Sequence, residues 1–247
     1  HLDYIRYPEP SIPFDDRRTY ARYGHQLPKA EWRRENVNRT VQLISETARA
    51  IRPWVKITCA PIGKYADLPA QSSKGGNARD AVSQDAQLWL RRGWMDGLYP
   101  MMYFDGQHFY PFAVNWKEYA YGRPVVPGLG AYQLAPEERN WSLLQIIRQL
   151  RFIHAEGFPG EAYFRSQFLL DNVKGLLDFV HDNYARPMLP PAMTWIDSIP
   201  PAAPQLQRRR NGTALHFSWN AVADATPVHY NLYRLTASCL LYTSDAA

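Results

Sequence analysis

Cysteine is scarce in this chain, which has only Cys59 and Cys239 among its 247 residues. Their number and spacing fit neither a disulfide framework nor a zinc site. No apolar run is long enough to cross a membrane. A glycine-rich phosphate turn is also missing, because Gly128-Leu129-Gly130 is too short to form one. These absences argue against disulfide-rich, zinc-binding and dinucleotide-binding proteins.

Positive charge is in slight excess but is not concentrated. The net charge is +5, and the dense basic run Arg208-Arg209-Arg210 is short. A nucleic-acid-binding domain would carry a longer basic stripe interleaved with aromatic residues. We therefore expect no nucleic-acid partner. An anionic glycan would suit the charge, but net charge alone does not identify a substrate.

Aromatic residues, by contrast, are plentiful, with 8 Trp and 16 Tyr. Their rings either pack in a core or line a cleft, since aromatic faces stack well on sugar rings. Both interpretations stay open for a single tryptophan. For Trp116 and Trp141 we favour helix packing.

Short apolar runs alternate with longer amphipathic segments over about the first 190 residues. The apolar runs predict strands at 2–7, 55–60, 96–103, 124–131 and 161–164. Helical spacing covers 32–51, 81–92, 142–156 and 169–184. Residues 8–29 are polar and proline-rich and are predicted to form a loop. Strands that alternate with helices indicate parallel strands with crossover helices, with a doubly wound sheet as the competing architecture.

We predict an α/β fold, a partial (β/α)8 TIM-type barrel that holds about strands 4 to 8. Five strand–helix units are visible, whereas a closed barrel needs eight. About three units are therefore expected to precede His1. The chain also opens without Met inside a strand pattern, so we expect the true N-terminus and any targeting signal to be missing.

After Pro187 the alternation of predicted strands and helices ends, and the sequence becomes proline-rich. We predict a barrel at 1–190, a proline-rich linker at 191–203 and a truncated module at 204–237. Period-two alternation at 214–219 and 228–234 resembles the opening of a fibronectin type III module, a β-sandwich of about seven strands.

The segment 238–247 breaks this alternation abruptly. It resembles a translated sequencing-adapter read-through, so we interpret it as a non-native tail. A genuine C-terminal tail is the alternative. We assign the segment no function.

Asp3 is the strongest candidate for a catalytic carboxylate. Barrel enzymes place catalytic groups at the C-terminal ends of their strands. An Asp within an apolar strand is costly to bury unless it is paired or functional. Arg6 would keep Asp3 ionised, and a purely structural Asp3–Arg6 ion pair is the alternative. Because side chains alternate along a strand, the two would share a face only if the strand bends at its end.

Asp105 is the second carboxylate candidate, since glycosidic bond cleavage generally needs two carboxyl groups. It follows the third predicted strand, but Asp105-Gly106 is also an ordinary turn pair. Asp96 and Glu161 lie at strand entrances, where they are expected to stabilise the fold. The exit of the second strand, 60–64, contains no carboxylate.

Other polar and aromatic residues just past strand ends are candidates for substrate binding. The set is Tyr4, Arg6, Lys64, Tyr103, Tyr132, Tyr163 and Arg165. They would orient sugar hydroxyls or a carboxylate. His1 is either a catalytic base or, as we favour, a solvated or hydrogen-bonded structural residue. We expect no metal and no cofactor.

Several segments together resemble glycosyl-hydrolase-like family 10, a group that includes bacterial lipoproteins. The segment 1–8 is similar to the strand-four signature of that family, and 32–38, 58–63, 94–103 and 187–195 match in order. The resemblance covers about residues 1 to 235. It implies a TIM-barrel hydrolase that acts on glycans and is secreted or cell-envelope-associated in bacteria.

The expected function is therefore cleavage of a glycosidic bond in a bacterial envelope or environmental glycan. A non-catalytic glycan-binding barrel is one alternative, and a fragment inactive without its N-terminal strands is another. Carboxyl groups of Asp3 and Asp105 about 5 to 10 Å apart across one cleft would favour hydrolysis. If Asp105 points away and no other acid faces Asp3, the arrangement would favour glycan binding without hydrolysis.

Overall fold

The computed structural model describes residues 1–24, 26–184, 190–224 and 230. The chain divides into two compact units, His1–Met193 and a second unit that begins at Thr194. Most of the predicted strand at 228–234, together with Cys239 and the predicted tail, lies outside the described residues.

The first unit consists of helices joined to very short strands. The helices are α1 (Arg17–Tyr23), α2 (Lys29–Ile51), α3 (Ala78–Ala81), α4 (Ala86–Arg91), α5 (Tyr110–Glu118), α6 (Leu143–Ala155), α7 (Ser166–Leu170) and α8 (Leu176–Asn183). The strands are β1 (Thr58–Cys59), β2 (Gly97–Leu98), β3 (Gly128–Leu129) and β4 (Ala162–Tyr163). Single 3₁₀ turns occupy Gly106–His108, Ala131–Leu134 and Val173–Gly175.

The strands of the first unit pair in parallel. β1 pairs with β2, and β3 pairs with β4. Isolated parallel bridges extend this arrangement, and they join Leu2 to Cys59, Ile62 to Met101, Leu98 to Val125 and Met101 to Gly128. Five chain segments thus lie side by side in sequence order, with helices in their connections. The mixed α/β class is confirmed, whereas the partial barrel stays a prediction.

The core lies where the strands meet the helices. Cys59, Leu98 and Leu129 are fully buried on the strands, as the apolar runs predict. Removing one such side chain from water stabilises the fold by about 1.5–3 kcal/mol. Trp116 and Trp141 are also buried, which confirms helix packing for both. The Trp116 indole donates a hydrogen bond to the carbonyl of Gly63 over 2.7 Å.

Asp96 anchors the entrance of β2. Its carboxylate is fully buried, accepts the backbone N–H of Ile57 at 2.8 Å and pairs with Arg49 at 2.9 Å. Arg123 lies 3.3 Å from the same carboxylate. A buried charge requires such partners, since desolvation disfavours it strongly. Asp96 therefore ties α2 to the parallel strands, as its position at a strand entrance predicts.

Some predicted elements are wrong, and each has a physical reason. The predicted loop at 8–29 contains α1, which buries none of its residues and so shows no apolar periodicity. The predicted strand at 2–7 pairs only through Leu2, because Tyr4 adopts a φ of 53° and the chain bends there. The predicted helix at 169–184 is interrupted by positive φ values at Asn172 and Lys174.

The second unit contains an antiparallel hairpin of β5 (Leu206–Asn211) and β6 (Ala214–Trp219). Gly212 occupies the turn with a φ of 58°, which glycine adopts readily. β6 coincides with the strand predicted at 214–219. Exposed apolar side chains alternate along it at Leu215, Phe217 and Trp219. The hairpin fits the start of a β-sandwich, and the fibronectin type III module stays a prediction.

None of the helices that the structure describes combines the length and the apolar character needed to span a membrane.

Candidate functional site

Two neighbouring clefts collect residues from the ends of the parallel strands. The Asp3 cleft has a volume of about 310 Å³, and its lining includes His1, Asp3, Tyr4, Tyr99, Tyr103 and Phe164. The Arg6 cleft has a volume of about 620 Å³, and its lining includes Arg6, Glu9, Tyr103, Tyr132, Gln133 and Arg139. Met101 and Tyr103 line both clefts, so the two adjoin.

Asp3 is exposed and immediately precedes the bend at Tyr4. Its Oδ1 accepts the backbone N–H of Tyr4 at 2.9 Å. Asp3 therefore does not lie within a buried strand, because the chain leaves the sheet directly after Leu2. A positive φ is uncommon for a residue such as Tyr4, and strained backbone of this kind often occurs at functional sites.

His1 is held against the neighbouring strands. Its Nδ1 lies 2.8 Å from the hydroxyl of Thr58. Its ring meets Tyr99 edge-on with 5.4 Å between the ring centroids. This geometry favours the hydrogen-bonded structural role for His1.

Three aromatic side chains meet where the clefts join, and we call Tyr103, Tyr132 and Phe164 the aromatic cluster. Tyr132 meets Tyr103 and Phe164 edge-on, with centroid distances of 5.6 Å and 5.8 Å. Phe164 is 47% exposed, so one face remains open. Burial raises the pKa of Tyr103, and nearby Tyr132 and Asp3 raise it further. The Tyr103 phenol is therefore a hydrogen-bond donor at neutral pH.

Two glycines make room for the aromatic cluster. A Cβ on Gly130 would lie 3.1 Å from the Cβ of Tyr103, and a Cβ on Gly128 would lie 2.9 Å from the carbonyl of Pro100. Side chains at these positions would displace Tyr103 or the strand beside it. The small residues of the Gly128-Leu129-Gly130 segment thus permit close approach of a neighbouring chain.

Arg6 pairs with Glu9 and not with Asp3. The guanidinium Nη2 lies 3.3 Å from Glu9 Oε1, and the guanidinium carbon lies 5.1 Å from the ring centroid of Tyr4. No ion pair joins Asp3 to Arg6 among the described residues, so neither the expected support of Asp3 by Arg6 nor the structural alternative has the contact that it needs, although the chain bends at Tyr4. Glu9 is a second carboxylate in the joined clefts. It was not predicted because it lies in a proline-rich loop beyond the strand pattern.

Asp105 and Lys64 line neither cleft. Asp105 is exposed and immediately precedes the 3₁₀ turn Gly106–His108, which matches its alternative role as a turn residue. Lys64 is buried, and its Nζ donates to the hydroxyl of Ser73 over 3.0 Å. The structure therefore does not bring these two predicted residues to Asp3.

Tyr163 and Arg165 are only partly engaged with the site. Tyr163 lines the Asp3 cleft, but its hydroxyl donates to Glu161 over 3.1 Å. Burial and the Glu161 charge raise the pKa of this phenol. Tyr184 also donates to Glu161, which supports the structural role predicted for that carboxylate. Arg165 is exposed and lies 5.6 Å from the ring centroid of Phe168.

Phe164 is the clearest cleft residue absent from the sequence prediction. It follows Tyr163 on the segment that leaves β4, and side chains alternate along a strand. Both side chains line the Asp3 cleft, so regular strand alternation would not have identified Phe164 beside Tyr163. Among the described residues, no group of three or more His, Cys, Asp or Glu side chains is arranged to hold a metal ion.

Comparisons with known proteins find relatives that are named glycosyl hydrolases. The chain is 28% identical over 263 residues to the glycosyl hydrolase YngK of Bacillus subtilis (strain 168), an alignment covering 95% of this chain and 51% of that protein. It is 29% identical over 107 residues to the glycosyl hydrolase DigH of Escherichia coli (strain K12), covering 41% of this chain and 24% of DigH. The chain thus spans about half the length of YngK.

The sequence profile of one family matches the region that supplies Asp3, Arg6, Glu9 and Tyr103. The match covers residues 2–125, half of the chain, and the family is described as glycosyl hydrolase-like 10. The resemblance found in the sequence is thereby confirmed at the level of the family. The chain belongs to the glycosyl hydrolase-like 10 family.

Proposed function

We propose that this chain is part of a (β/α) barrel hydrolase that cleaves a glycosidic bond in a bacterial envelope or environmental glycan. Asp3 is its principal catalytic carboxylate. The observation that carries the proposal is the placement of Asp3 in one cleft with Tyr103 and Phe164. A carboxylate beside an open aromatic face suits a sugar ring, because the ring stacks on the aromatic face while the carboxylate reaches the scissile bond.

The barrel architecture is supported by the order of the parallel segments. Bridges join the segments that contain Leu2, β1, β2, β3 and β4 in the order of the sequence. The Arg6 cleft is lined by residues that follow several of these segments, which corresponds to the catalytic end of a barrel. Since the chain spans about half of YngK, further strands would complete the barrel in the whole protein.

Glu9 is the proposed partner of Asp3. Two carboxyl groups act in most glycoside hydrolases, one as an acid and the other as a nucleophile or base. Glu9 lines the adjoining cleft, whereas Asp105 lines neither. The Arg6 guanidinium lies 3.3 Å from the Glu9 carboxylate, and both residues line the Arg6 cleft. Asp3 and Glu9 together would supply the pair that the chemistry requires.

The aromatic cluster would hold the sugar next to these carboxylates. Pyranose rings have apolar C–H faces that pack on exposed rings such as Phe164. The Tyr103 phenol, which stays protonated, would donate a hydrogen bond to a sugar oxygen. The partner is thus a carbohydrate, and we propose secretion or cell-envelope association from the family resemblance.

A second candidate function is glycan binding without hydrolysis. Asp105, the second carboxylate predicted from the sequence, lies outside both clefts, and this favours a binding role if Glu9 does not reach the bond. The aromatic cluster would serve binding equally well. The two candidates differ in whether new reducing ends appear.

A glycan panel separates these functions. The chain and a longer product of the same gene should be incubated with envelope-derived, uronic-acid-containing and neutral polysaccharides, and the release of reducing ends should be measured. We expect hydrolysis of at least one glycan and its loss in Asp3→Asn. Asp182→Asn is the control, because Asp182 is highly exposed on α8 and lines neither cleft. Binding without reducing ends would support the second candidate and contradict the first.

A further inference from the structure

We propose that the Arg6 cleft is a subsite for a pyranose that carries a carboxylate, with Arg139 as its counter-ion. The inference rests on the proposed glycan-directed function and adds the charge class of the sugar. It arises from three properties of the cleft, which are an unmatched positive charge, an unpartnered acceptor and an apolar wall.

The first property is charge. Arg6 and Glu9 lie 3.3 Å apart and neutralise each other within the cleft. Arg139 lines the same cleft, and no ion pair joins it to another residue in the described part of the chain. Its sequence neighbours Glu137 and Glu138 do not line the cleft. Arg139 is exposed, so the cleft carries one accessible positive charge to which a ligand anion can bind, and an arginine fork matches a carboxylate well.

The second property is a buried acceptor without a donor. Gln133 lines the Arg6 cleft and is only 5% exposed. Its Oε1 has no hydrogen-bond partner among the described residues. Buried polar atoms are nearly always satisfied in native structures, by protein, water or ligand. Because Oε1 is shielded from solvent, a flip of the amide group would bring this oxygen to the position of Nε2, where a sugar hydroxyl would donate to it.

The third property is the apolar wall beside these polar groups. Ile62, Met101 and Phe104 line the cleft together with the ring of Tyr132. A binding site that orients a ring typically combines such a wall with a few polar groups. A free inorganic anion would satisfy Arg139 but would leave both the wall and Gln133 without a partner. A neutral sugar would leave Arg139 unmatched, so an acidic pyranose fits all three properties.

The position of the subsite connects it to the proposed chemistry. Tyr103 and Met101 line both clefts, so an acidic sugar in the Arg6 cleft would lie next to a sugar at Asp3. Arg139 would then select among glycans by charge, while Asp3 would act on the neighbouring residue.

Binding of matched sugars to the whole chain tests the subsite without requiring hydrolysis. The probes are methyl glucuronide against methyl glucoside and methyl galacturonide against methyl galactoside, titrated by NMR at low ionic strength. We expect at least one acid to bind about fivefold more tightly than its neutral partner, as for an exposed ion pair. The preference should shrink as salt is added, because salt screens exposed charges.

Two variants assign the preference to the cleft. Arg139→Gln should abolish the acid preference and leave neutral-sugar binding unchanged. Gln133→Leu should weaken both members of a pair by a similar factor, since it removes a hydroxyl contact and no charge. Arg148→Gln, which replaces an exposed arginine of α6 that lines neither cleft, should change nothing.

The outcomes separate this subsite from the proposed hydrolase. Equal affinity for acid and neutral sugars, no binding of either acid, or an acid preference that survives Arg139→Gln would each overturn the subsite. If glycans are hydrolysed without any charge preference, the subsite fails and the hydrolase remains. If acids bind selectively but no glycan is cleaved, the subsite remains and the hydrolase fails.

Discussion

Tyr103 and Phe164 stack nearly in parallel, with 5.2 Å between their ring centroids and 19° between their planes. The two residues follow different strands, β2 and β4, so the contact spans the β3 segment between them. Gly128 and Gly130 permit this because they carry no side chains that would lift Tyr103. The exposed ring of Phe164, where we propose that a sugar binds, is therefore positioned by residues from three strands.

Truncation of Phe164 should weaken glycan binding. Phe164→Ala removes the exposed ring but no core residue, so we expect affinity to fall about threefold to tenfold, the range for an aromatic contact. Titration of a bound oligosaccharide by calorimetry measures this. Tyr119→Ala is the matched control, because Tyr119 is similarly exposed and lines neither cleft. Equal losses in both variants would contradict the stacking role.

Glu9 and Asp105 should differ in their effect on hydrolysis. Glu9→Gln should reduce kcat about 10²-fold or more, because a general acid or base typically contributes that factor. Asp105→Asn should change kcat by less than about twofold, as expected for an exposed turn residue. Initial rates of hydrolysis, measured on the glycan that the wild type cleaves fastest, distinguish the roles of Glu9 and Asp105. A large loss in Asp105→Asn with little effect of Glu9→Gln would reinstate Asp105 as the second carboxylate.

Replacement of Asp96 should destabilise the fold without a specific effect on binding. Asp96→Ala removes the buried partner of Arg49 and Arg123, and breaking such a pair costs about 3–5 kcal/mol. Urea unfolding followed by circular dichroism measures the free energy of unfolding. Asp182→Ala is the control, since its side chain is 88% exposed and its loss should cost less than about 0.5 kcal/mol. A near-native stability of Asp96→Ala would show that the network is dispensable.

Stability should fall in acid partly through Asp16. Hydrogen bonds from Arg33, and then Lys29, hold the pKa of this carboxyl well below its ordinary value. A lowered pKa in the folded state stabilises the protein above the unfolded-state pKa of about 4, and the contribution is lost as the pH falls below it. Wild type should therefore exceed Asp16→Asn in unfolding free energy near pH 7, and the gap should narrow below about pH 4. A gap that is independent of pH would contradict the linkage.

The α/β class was predictable because its signals are local. Consecutive apolar residues around Cys59 and Leu98 indicate strands buried on both faces, and the structure buries both fully. The spacing of Ile146, Leu150 and Ile153 predicts α6, and these residues are buried. The entrance position of Asp96 correctly indicated a stabilising role.

The site was less predictable because it depends on where the chain bends. An Asp in an apolar run suggests burial, yet the positive φ of Tyr4 brings Asp3 into the open. Glu9 has no strand pattern around it, and its ion pair with Arg6, three residues earlier, forms on irregular backbone that no periodicity predicts. Lys64 follows a strand as a site residue would, but its long side chain extends to Ser73 instead.

The single bridge at Leu2 has a consequence for how this chain can vary. The N–H of Leu2 donates to the carbonyl of Thr58 over 2.8 Å, and the carbonyl of Leu2 accepts the N–H of Ala60 at 3.2 Å. Beyond Leu2 the segment forms no further strand pairing with the described residues. Asp3, Arg6 and Glu9 all lie beyond that point on irregular backbone. Substitutions of the exposed residues Tyr4, Glu9 and Pro10 would thus alter the clefts without touching the hydrophobic core, whereas substitutions of Ile5 and Tyr7, which pack against the core, would change stability as well.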